Sequence, residues 1–592
     1  MKWPKTRISL SSNNHSMLNQ EAPKARELRA AFLLMTPKKR IMTSALITIA
    51  LGALMFLTLY VNSLFLVEVP AYGGTLTEGV IGFPRLINPL FLTKNDAERD
   101  IAALTYSGLM RVSKEGTLEG DLAKNYSISD DGRTYTFSLR DDLVFHDGAN
   151  ITSGDVVFTI KKAQDPLLKS PRRAQWEGVT VEAADPQTIV FTLPQPYAGF
   201  LENTTIGILP QHIWSEIAVD EFSLTKFNEE PVGSGPYKYS SSKRDRSGIP
   251  TQYTFDAFEQ FALGMPYIDH ITVRFYPNEE ELKSALTRGE VESAVAISAQ
   301  TASMLETNGS HITSPMNPLP RVFAVFFNQD KQTLFTDSSI RRALSLSVPR
   351  ESLIDQVLKG YATALYGPLP SGVIGFEGNE ISTAMASTSI DEANSLLEAA
   401  GWKYNEERSV RVKDEKEFAF TLVTANTQEF KESANALKVI WQNIGARVTV
   451  NVFEQNDLTE NIIRPREYDA LFFGQAIGRD PDPFSFWHSS QRIDPGLNVA
   501  LYANITVDSV LERARVEIDN TKRASLLQEF QDEIATDVPA VFIYAPHLLY
   551  VVPAKLGGAD ISLIAQPSER FSQIHRWFIE TDNIWKIFTV NG

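Results

Sequence analysis

The sequence has 592 residues, 43% hydrophobic and 22% charged, enough for several lobes with full cores and too apolar for a disordered chain. Its formal net charge of -16 argues against a nucleic-acid partner, whose phosphates select basic surfaces, and disfavours flat adhesion to anionic lipid. The absence of cysteine excludes disulfides, thiolate metal sites, iron–sulfur clusters, cysteine nucleophiles and a lipid-modified cysteine anchor.

Taken in chain order, the first predicted element is a membrane-spanning helix over Ile41 to Val67, a run without a charged residue. At about 1.5 Å per residue it spans about 40 Å, enough for a hydrocarbon core of about 30 Å. Lys2, Lys5, Arg7, Lys24, Arg26, Arg29, Lys38, Lys39 and Arg40 precede it, against Glu21 and Glu27. This asymmetry places the N-terminus in the cytoplasm and everything after Val67 outside. The competing reading is a cleaved signal peptide, with the small residues near Ala71 to Gly74 as cleavage site, but both the basic stretch and the apolar run are long for one.

Beyond Val67, strand and helix signals alternate. Tyr135, Phe137 and Leu139 alternate with polar residues, as in a half-buried strand. Thr152 and Asp155, Asn278 and Glu281, and Ser389 and Glu392 have the spacing of helix starts, and Gly289 and Gly401 stop the last two helices. From Phe418 to Val452 the pattern reads strand, helix, strand: Phe418, Phe420 and Leu422, then Phe430, Ala434, Leu437 and Trp441 on one helix face, then Val448, Val450 and Val452. That unit is the basis of a parallel sheet covered by helices. No Pro/Gly/Ser-rich linker divides the region, so its lobes are expected to share crossing strands.

Catalytic signatures are missing. There is no GxSxG elbow, no HExxH and no GxxxxGK loop, and the eight histidines are scattered without zinc spacing. His146 reads as a turn residue rather than a base, Asp131-Gly132 as a hairpin turn, and Gly233-Ser234-Gly235-Pro236 as a sharp turn rather than a dinucleotide loop. Arg341 and Arg342 read as solvated or locally paired, and Trp402 and Trp441 as core. No catalytic residue, metal ligand or cofactor is expected.

Several segments together carry a family resemblance. They are Leu86-Ile87-Asn88-Pro89-Leu90, Leu104-Thr105-Tyr106-Ser107-Gly108-Leu109 and Asp130-Asp131-Gly132-Arg133-Thr134-Tyr135-Thr136-Phe137-Ser138-Leu139-Arg140, then Phe145-His146-Asp147-Gly148 and Gly154-Asp155-Val156-Val157-Phe158. Pro231-Val232-Gly233-Ser234-Gly235-Pro236-Tyr237, Phe327-Asn328, Ile340-Arg341-Arg342-Ala343-Leu344, Asp480-Pro481-Asp482-Pro483-Phe484, Trp487-His488-Ser489-Ser490 and Asn498 follow in order. From about Gly73 onward the chain thereby resembles the family 5 extracellular solute-binding proteins, the peptide and nickel receptors of ABC importers. The resemblance implies an α/β, two-lobed periplasmic-binding-protein-like fold of type II with an extra N-terminal subdomain, here preceded by the transmembrane helix. The charge and hydropathy pattern gives residues 1–40 as a basic cytoplasmic arm and 41–67 as anchor, and the resemblance divides the rest. Lobe I is 68–105, continued at 231–325, with its extra subdomain at 106–230. Lobe II is 326–540, and 541–592 returns to lobe I.

The resemblance further implies a monomeric, non-enzymatic receptor that closes its lobes over a short peptide and delivers it to a membrane permease and ATPase. An extended peptide would pair with two strand edges. By position these are Thr93, Lys94, Asn95 and Asp96, and Gly474, Gln475, Ala476, Ile477 and Gly478. Di- and oligopeptide receptors place an aspartate for the peptide ammonium slightly before the Asp-Pro pair; depending on register this chain has Ile477 or Arg479 there. Asp96, Asp480 and Asp482 are the remaining candidates, Arg479 suits a ligand carboxylate, and Trp487 follows the cleft-lining stretch. The alternatives are a tethered ligand sensor, a receptor for a non-peptide solute such as a nickel chelate, and a hydrolase built on the same scaffold.

Overall fold

A computed structural model of the chain describes residues 30, 32–92, 95–295, 297–313, 318–373, 388–561 and 563–588. Contacts divide the chain into two compact units, Met1–Val69 with Thr581–Gly592, and Pro70–Glu580.

The first unit holds a 29-residue helix, Pro37–Phe65, with none of its residues buried. It starts four residues before the predicted Ile41, because Pro37 occupies the first turn, where its missing N–H costs nothing. It ends before the predicted Val67, because Leu66 turns extended and begins the strand Leu66–Ala71, paired with Glu580–Trp585. The indole of Trp585 donates to Asn62 at 2.8 Å. The helix is long and apolar enough to cross a membrane by length and composition. Most of the basic arm lies outside the described residues.

The second unit is built on two larger sheets. One has seven strands in the order His311–Thr313, Tyr550–Val552, Ser293–Val295, Thr75–Ile81, His270–Tyr276, Pro250–Ala257, Tyr237–Arg244. The other has six, in the order Ala362–Ala364, Ala540–Pro546, Arg321–Phe327, Ala470–Ala476, Ala419–Ala425, Arg447–Phe453. In its central strand, Phe323, Val325 and Phe327 enter one apolar cluster while Val322, Ala324 and Phe326 enter another. Successive side chains point to opposite faces, so a strand covered on both faces must be apolar throughout. The predicted strand–helix–strand unit is present as Ala419–Ala425, Gln428–Asn443 and Arg447–Phe453, its strands parallel and in register from Ala419 opposite Arg447.

The chain passes from the seven-stranded to the six-stranded sheet between Thr313 and Arg321, and back over residues 547–549. The amide of Leu319 donates to the Pro546 carbonyl at 2.9 Å, so the last residues of the first passage lie beside the start of the second. Both fall outside the strands Arg321–Phe327 and Ala540–Pro546, whereas the sequence reading put the changes at 325/326 and 540/541, inside them. The hydrophobic pattern of these strands is continuous through both points and carries no mark of where one sheet's company ends.

A four-stranded antiparallel sheet, Ala123–Ile128, Thr134–Leu139, Thr188–Thr192 and Thr180–Asp185, forms a further layer. The expected alternation holds, with Tyr135, Phe137 and Leu139 buried and the residues between them half-buried. The helix Ser153–Gln164 opens on a reciprocal capping box of Thr152 and Asp155, and Asn278 and Ser389 cap their helices through the amides of Glu281 and Glu392. Trp402 and Trp441 are core, as read from the sequence. Arg341 corrects its reading: it is buried, and it donates to the carbonyls of Phe335 at 2.6 Å, Val538 at 2.9 Å and Thr336 at 3.2 Å. Arg342 is exposed.

The Gly233–Pro236 turn lies against the backbone at Leu104 and Thr105; a Cβ on Gly235 would stand 2.6 Å from the Leu104 carbonyl oxygen. His146 clamps this turn, accepting from the Gly233 amide through Nδ1 at 3.3 Å and meeting the Gly235 carbonyl through Nε2 at 3.0 Å. Burial pushes its imidazole down to about 4 from 6.5. A histidine lowered in the folded state contributes stability that is fully present above pH 6.5 and is lost as pH falls towards 4. His146→Gln is therefore expected to flatten this part of the pH–stability curve, by an amount on the order of 2–3 kcal/mol across the window. Urea unfolding at pH 7 and pH 4.5 measures it; an unchanged slope in the variant would contradict the assignment.

Candidate functional site

The strand Ala470–Ala476 pairs along its full length with Arg321–Phe327, but with Ala419–Ala425 it pairs at Ala470 and Leu471. Extending that register puts Ala425, the last residue of its neighbour, opposite Phe473. Gly474, Gln475 and Ala476 therefore run past the end of the neighbouring strand with that edge of their backbone unladdered among the described residues. Gly478 follows at φ 78, a left-handed turn that swings the chain away from the sheet. Nothing stands closer than 4.0 Å to a Cβ built on Gly478. Gly478→Ala is accordingly expected to cost only the conformational strain, about 1–2 kcal/mol, read as a lowered urea midpoint with unchanged m-value.

The turn delivers Ile477, Gly478, Arg479, Asp480 and Asp482 to one side of an open cavity of about 1290 Å³, open solvent included. The other side comes from Pro89 and Leu92, from the stretch around Tyr197 to Gly207, and from Ala565 to Glu569. A second open cavity, of about 920 Å³ with open solvent included, shares Pro89, Leu92, Arg172 and Glu569 with the first and reaches inwards to Arg111 and Asp121. Burial pushes the Asp121 carboxyl up to about 6, against Arg111.

The charged groups are held in specific pairs. Arg479, with 1% of its side chain exposed, donates to Glu202 at 3.0 Å and also to Glu569. Burial opposes the charge on Arg479, yet Glu569 and Glu202 outweigh it and hold the guanidinium above its ordinary value. Asp480 pairs with Arg523, and Asp482 with Arg515 at 3.1 Å. Arg523 also donates to the Pro481 carbonyl at 2.8 Å, and the Arg515 guanidinium lies 4.5 Å over the Phe484 ring. Burial pushes both aspartates up, each against its arginine.

The predicted residues thus separate. Ile477, Gly478, Arg479, Asp480 and Asp482 line one cavity, and Gly474 to Ala476 lead into it. Thr93 and Lys94 lie outside the described residues. Asn95 and Asp96 are no strand edge: Asn95 caps the helix Asp96–Thr105 through the Ala97 amide at 3.1 Å, and Asp96 pairs with Arg99 at 2.6 Å. A capping Asn followed by an acidic first turn outweighs the extended reading there. Arg479 is not a free receiver for a ligand carboxylate, because two protein carboxylates already occupy its fork. Trp487 is sealed in the core at 2% exposure, 5.9 Å from Phe542 and 6.1 Å from Phe326 between ring centroids. Sequence reasoning missed Glu202 and Glu569, which stand 277 and 90 residues from Arg479 and carry no motif.

Three comparisons place this geometry. The family model described as bacterial extracellular solute-binding proteins, family 5 Middle, matches residues 117–494, more than half of the chain. The oligopeptide-binding protein AppA of Bacillus subtilis (strain 168) is 28% identical over 517 residues, covering 86% of this chain and 92% of that protein. Its solved structure in complex with a nonapeptide superposes with a TM-score of 0.67 at 27% identity, covering 86% of this chain and all of that one. NikZ from Campylobacter jejuni in complex with Ni(L-His) gives 0.68 at 25% identity, covering 85% and 99%. The match runs across most of the chain: this chain belongs to family 5 of the bacterial extracellular solute-binding proteins, the solute-binding components of ABC importers, and is not an enzyme.

Proposed function

We propose that this protein is a membrane-tethered receptor that captures short peptides by closing its two lobes and hands them to a permease and ATPase. The observation that carries this reading is the unladdered edge of Gly474, Gln475 and Ala476, which ends directly before Ile477, the first residue of this segment to line the cavity. A strand edge binds any extended peptide through main-chain hydrogen bonds, without reading side chains. AppA, solved with a nonapeptide, supports the same ligand class. The two chain passages beside Leu319 and Pro546 are the hinge, since a few residues that connect two sheets can absorb closure. Pro37–Phe65 is the anchor, with the basic arm cytoplasmic and the binding region outside.

The test is to purify the full chain in detergent, denature it, and identify released molecules by mass spectrometry. A ladder of short peptides is the expected result. A single non-peptide compound, a metal chelate among them, would replace the ligand and keep the receptor.

A further inference from the structure

Around Arg479 the ion pairs are not one to one. Asp480 has Arg523 and Asp482 has Arg515, but Arg479 alone serves both Glu202, at 3.0 and 3.3 Å to its two oxygens, and Glu569. Glu569 has one further donor, the Ala565 amide at 2.7 Å. One guanidinium neutralises one carboxylate, so this trio leaves one negative charge over, in a wall where an uncompensated charge is costly. Arg172 lines the same cavity, but no carboxylate is among the groups that shift it. The resemblance expects an aspartate at or beside position 479. This chain carries the opposite sign there and gathers two carboxylates from the facing side.

We propose that Glu202 and Glu569, held together by Arg479, form the subsite for the ligand's cationic group, and that filling this subsite expels a proton to solvent. The proposal rests on the peptide-receptor reading and adds the anchor, its place on the opposite side of the cleft, and the proton. An ammonium has three donors and no acceptor, and its charge favours an ionised carboxylate over a protonated one. Burial pushes Glu202 up to about 7, ahead of the opposing effect of Arg479 and with Glu569 adding to the rise. Near neutrality Glu202 therefore holds a proton part of the time. An arriving ammonium replaces that proton as the counter-charge: the O–H bond of Glu202 breaks, the proton passes to solvent, and the ligand nitrogen keeps all its hydrogens. The charged groups that face Glu202 are Arg479 and Asp480 from the turn after Ala470–Ala476 and Glu569 from Pro567–Arg576; Arg172, Tyr197 and Asp482 line the same cavity. The sign follows directly. Affinity for a cationic ligand rises as pH rises to about 7 and levels off above it, and below that it falls by up to tenfold per pH unit.

The experiment offers the full chain in detergent two competing pools of random pentapeptides made from Ala, Ser, Leu, Tyr and Gln, one with free N-termini and one N-acetylated. Bound peptide is quantified by mass spectrometry at pH 5.5 and pH 7.5. The free-amine pool should be enriched at least tenfold at pH 7.5 and several-fold less at pH 5.5. Glu202→Gln, which keeps an acceptor for Arg479, should lower the enrichment and make it equal at the two pH values; Glu569→Gln should lower it at both. Circular dichroism confirms that each variant is folded. Equal recovery of both pools at pH 7.5, or a pH dependence that survives Glu202→Gln, would overturn the proposal while leaving the peptide receptor standing. Recovery of neither pool would overturn the peptide receptor itself.

Discussion

Arg570→Met is expected to destabilise the protein by about 3–5 kcal/mol, the cost of removing one partner from a buried ion cluster. Arg570 and its partners Glu78 and Asp100 have fully buried side chains. Its guanidinium donates to Glu78 at 2.8 Å and to Asp100 at 2.6 and 2.8 Å, and Glu78 also accepts from Tyr550 at 3.0 Å. Burial alone would push the arginine down, but Asp100 and Glu78 outweigh it and hold it above its ordinary value. Burial pushes Asp100 up in spite of the arginine. Removing Arg570 leaves two carboxylates without a counter-charge where no water reaches them. Equilibrium urea unfolding measures the loss, and one below about 1 kcal/mol would show that the cluster is not desolvated as described. The triple variant Glu78→Gln, Asp100→Asn, Arg570→Met should recover much of the loss, because coupled groups are non-additive.

Trp487→Ala is expected to cost a further-placed 3–5 kcal/mol, on the order found when a buried aromatic leaves a cavity. The ring packs among Phe326, Tyr502, Phe530 and Phe542, at centroid distances from 5.9 to 6.3 Å. The affinity of the folded fraction for bound peptide should change less than threefold, since the indole lines neither cavity. A large affinity loss at little cost in stability would restore Trp487 to the cleft. The two variants probe the two lobes separately: Arg570 ties Thr75–Ile81 to the helix Asp96–Thr105 beneath the seven-stranded sheet, and Trp487 fills the apolar layer against the six-stranded one.

Much of the scaffold was legible in the sequence because its signals are local. Alternation in Thr134–Leu139, the capping spacing at Thr152 and Asp155, the stop at Gly401 and the strand–helix–strand unit around Gln428–Asn443 each depend on residues a few positions apart, where backbone geometry sets the period. The apolar, uncharged run inside Pro37–Phe65 is of the same kind. The turn after Ala476 was not: Ile477 and Gly478 read as the end of a strand edge, whereas the strand stops at Ala476 and Gly478 turns at φ 78.

The site was less legible, for a physical reason. Whether Arg479 receives a ligand or is already satisfied depends on Glu202 and Glu569, which only the closing of distant segments brings within hydrogen-bond reach. Whether Trp487 meets ligand or core depends on Phe530 and Phe542, which arrive from a later helix and strand. The run ending at Asp96 looks extended until the amide of Ala97 finds the Asn95 side chain. The sequence by itself determined the strand–helix–strand unit, the apolar helix and the helix starts, because short-range sterics and hydrophobic period act within a few residues, while the two-lobed class of fold came from the family resemblance. Only the tertiary structure decided which charges are paired, which aromatic is sealed and which two carboxylates share Arg479, because desolvation and Coulomb attraction act through space and ignore separation along the chain.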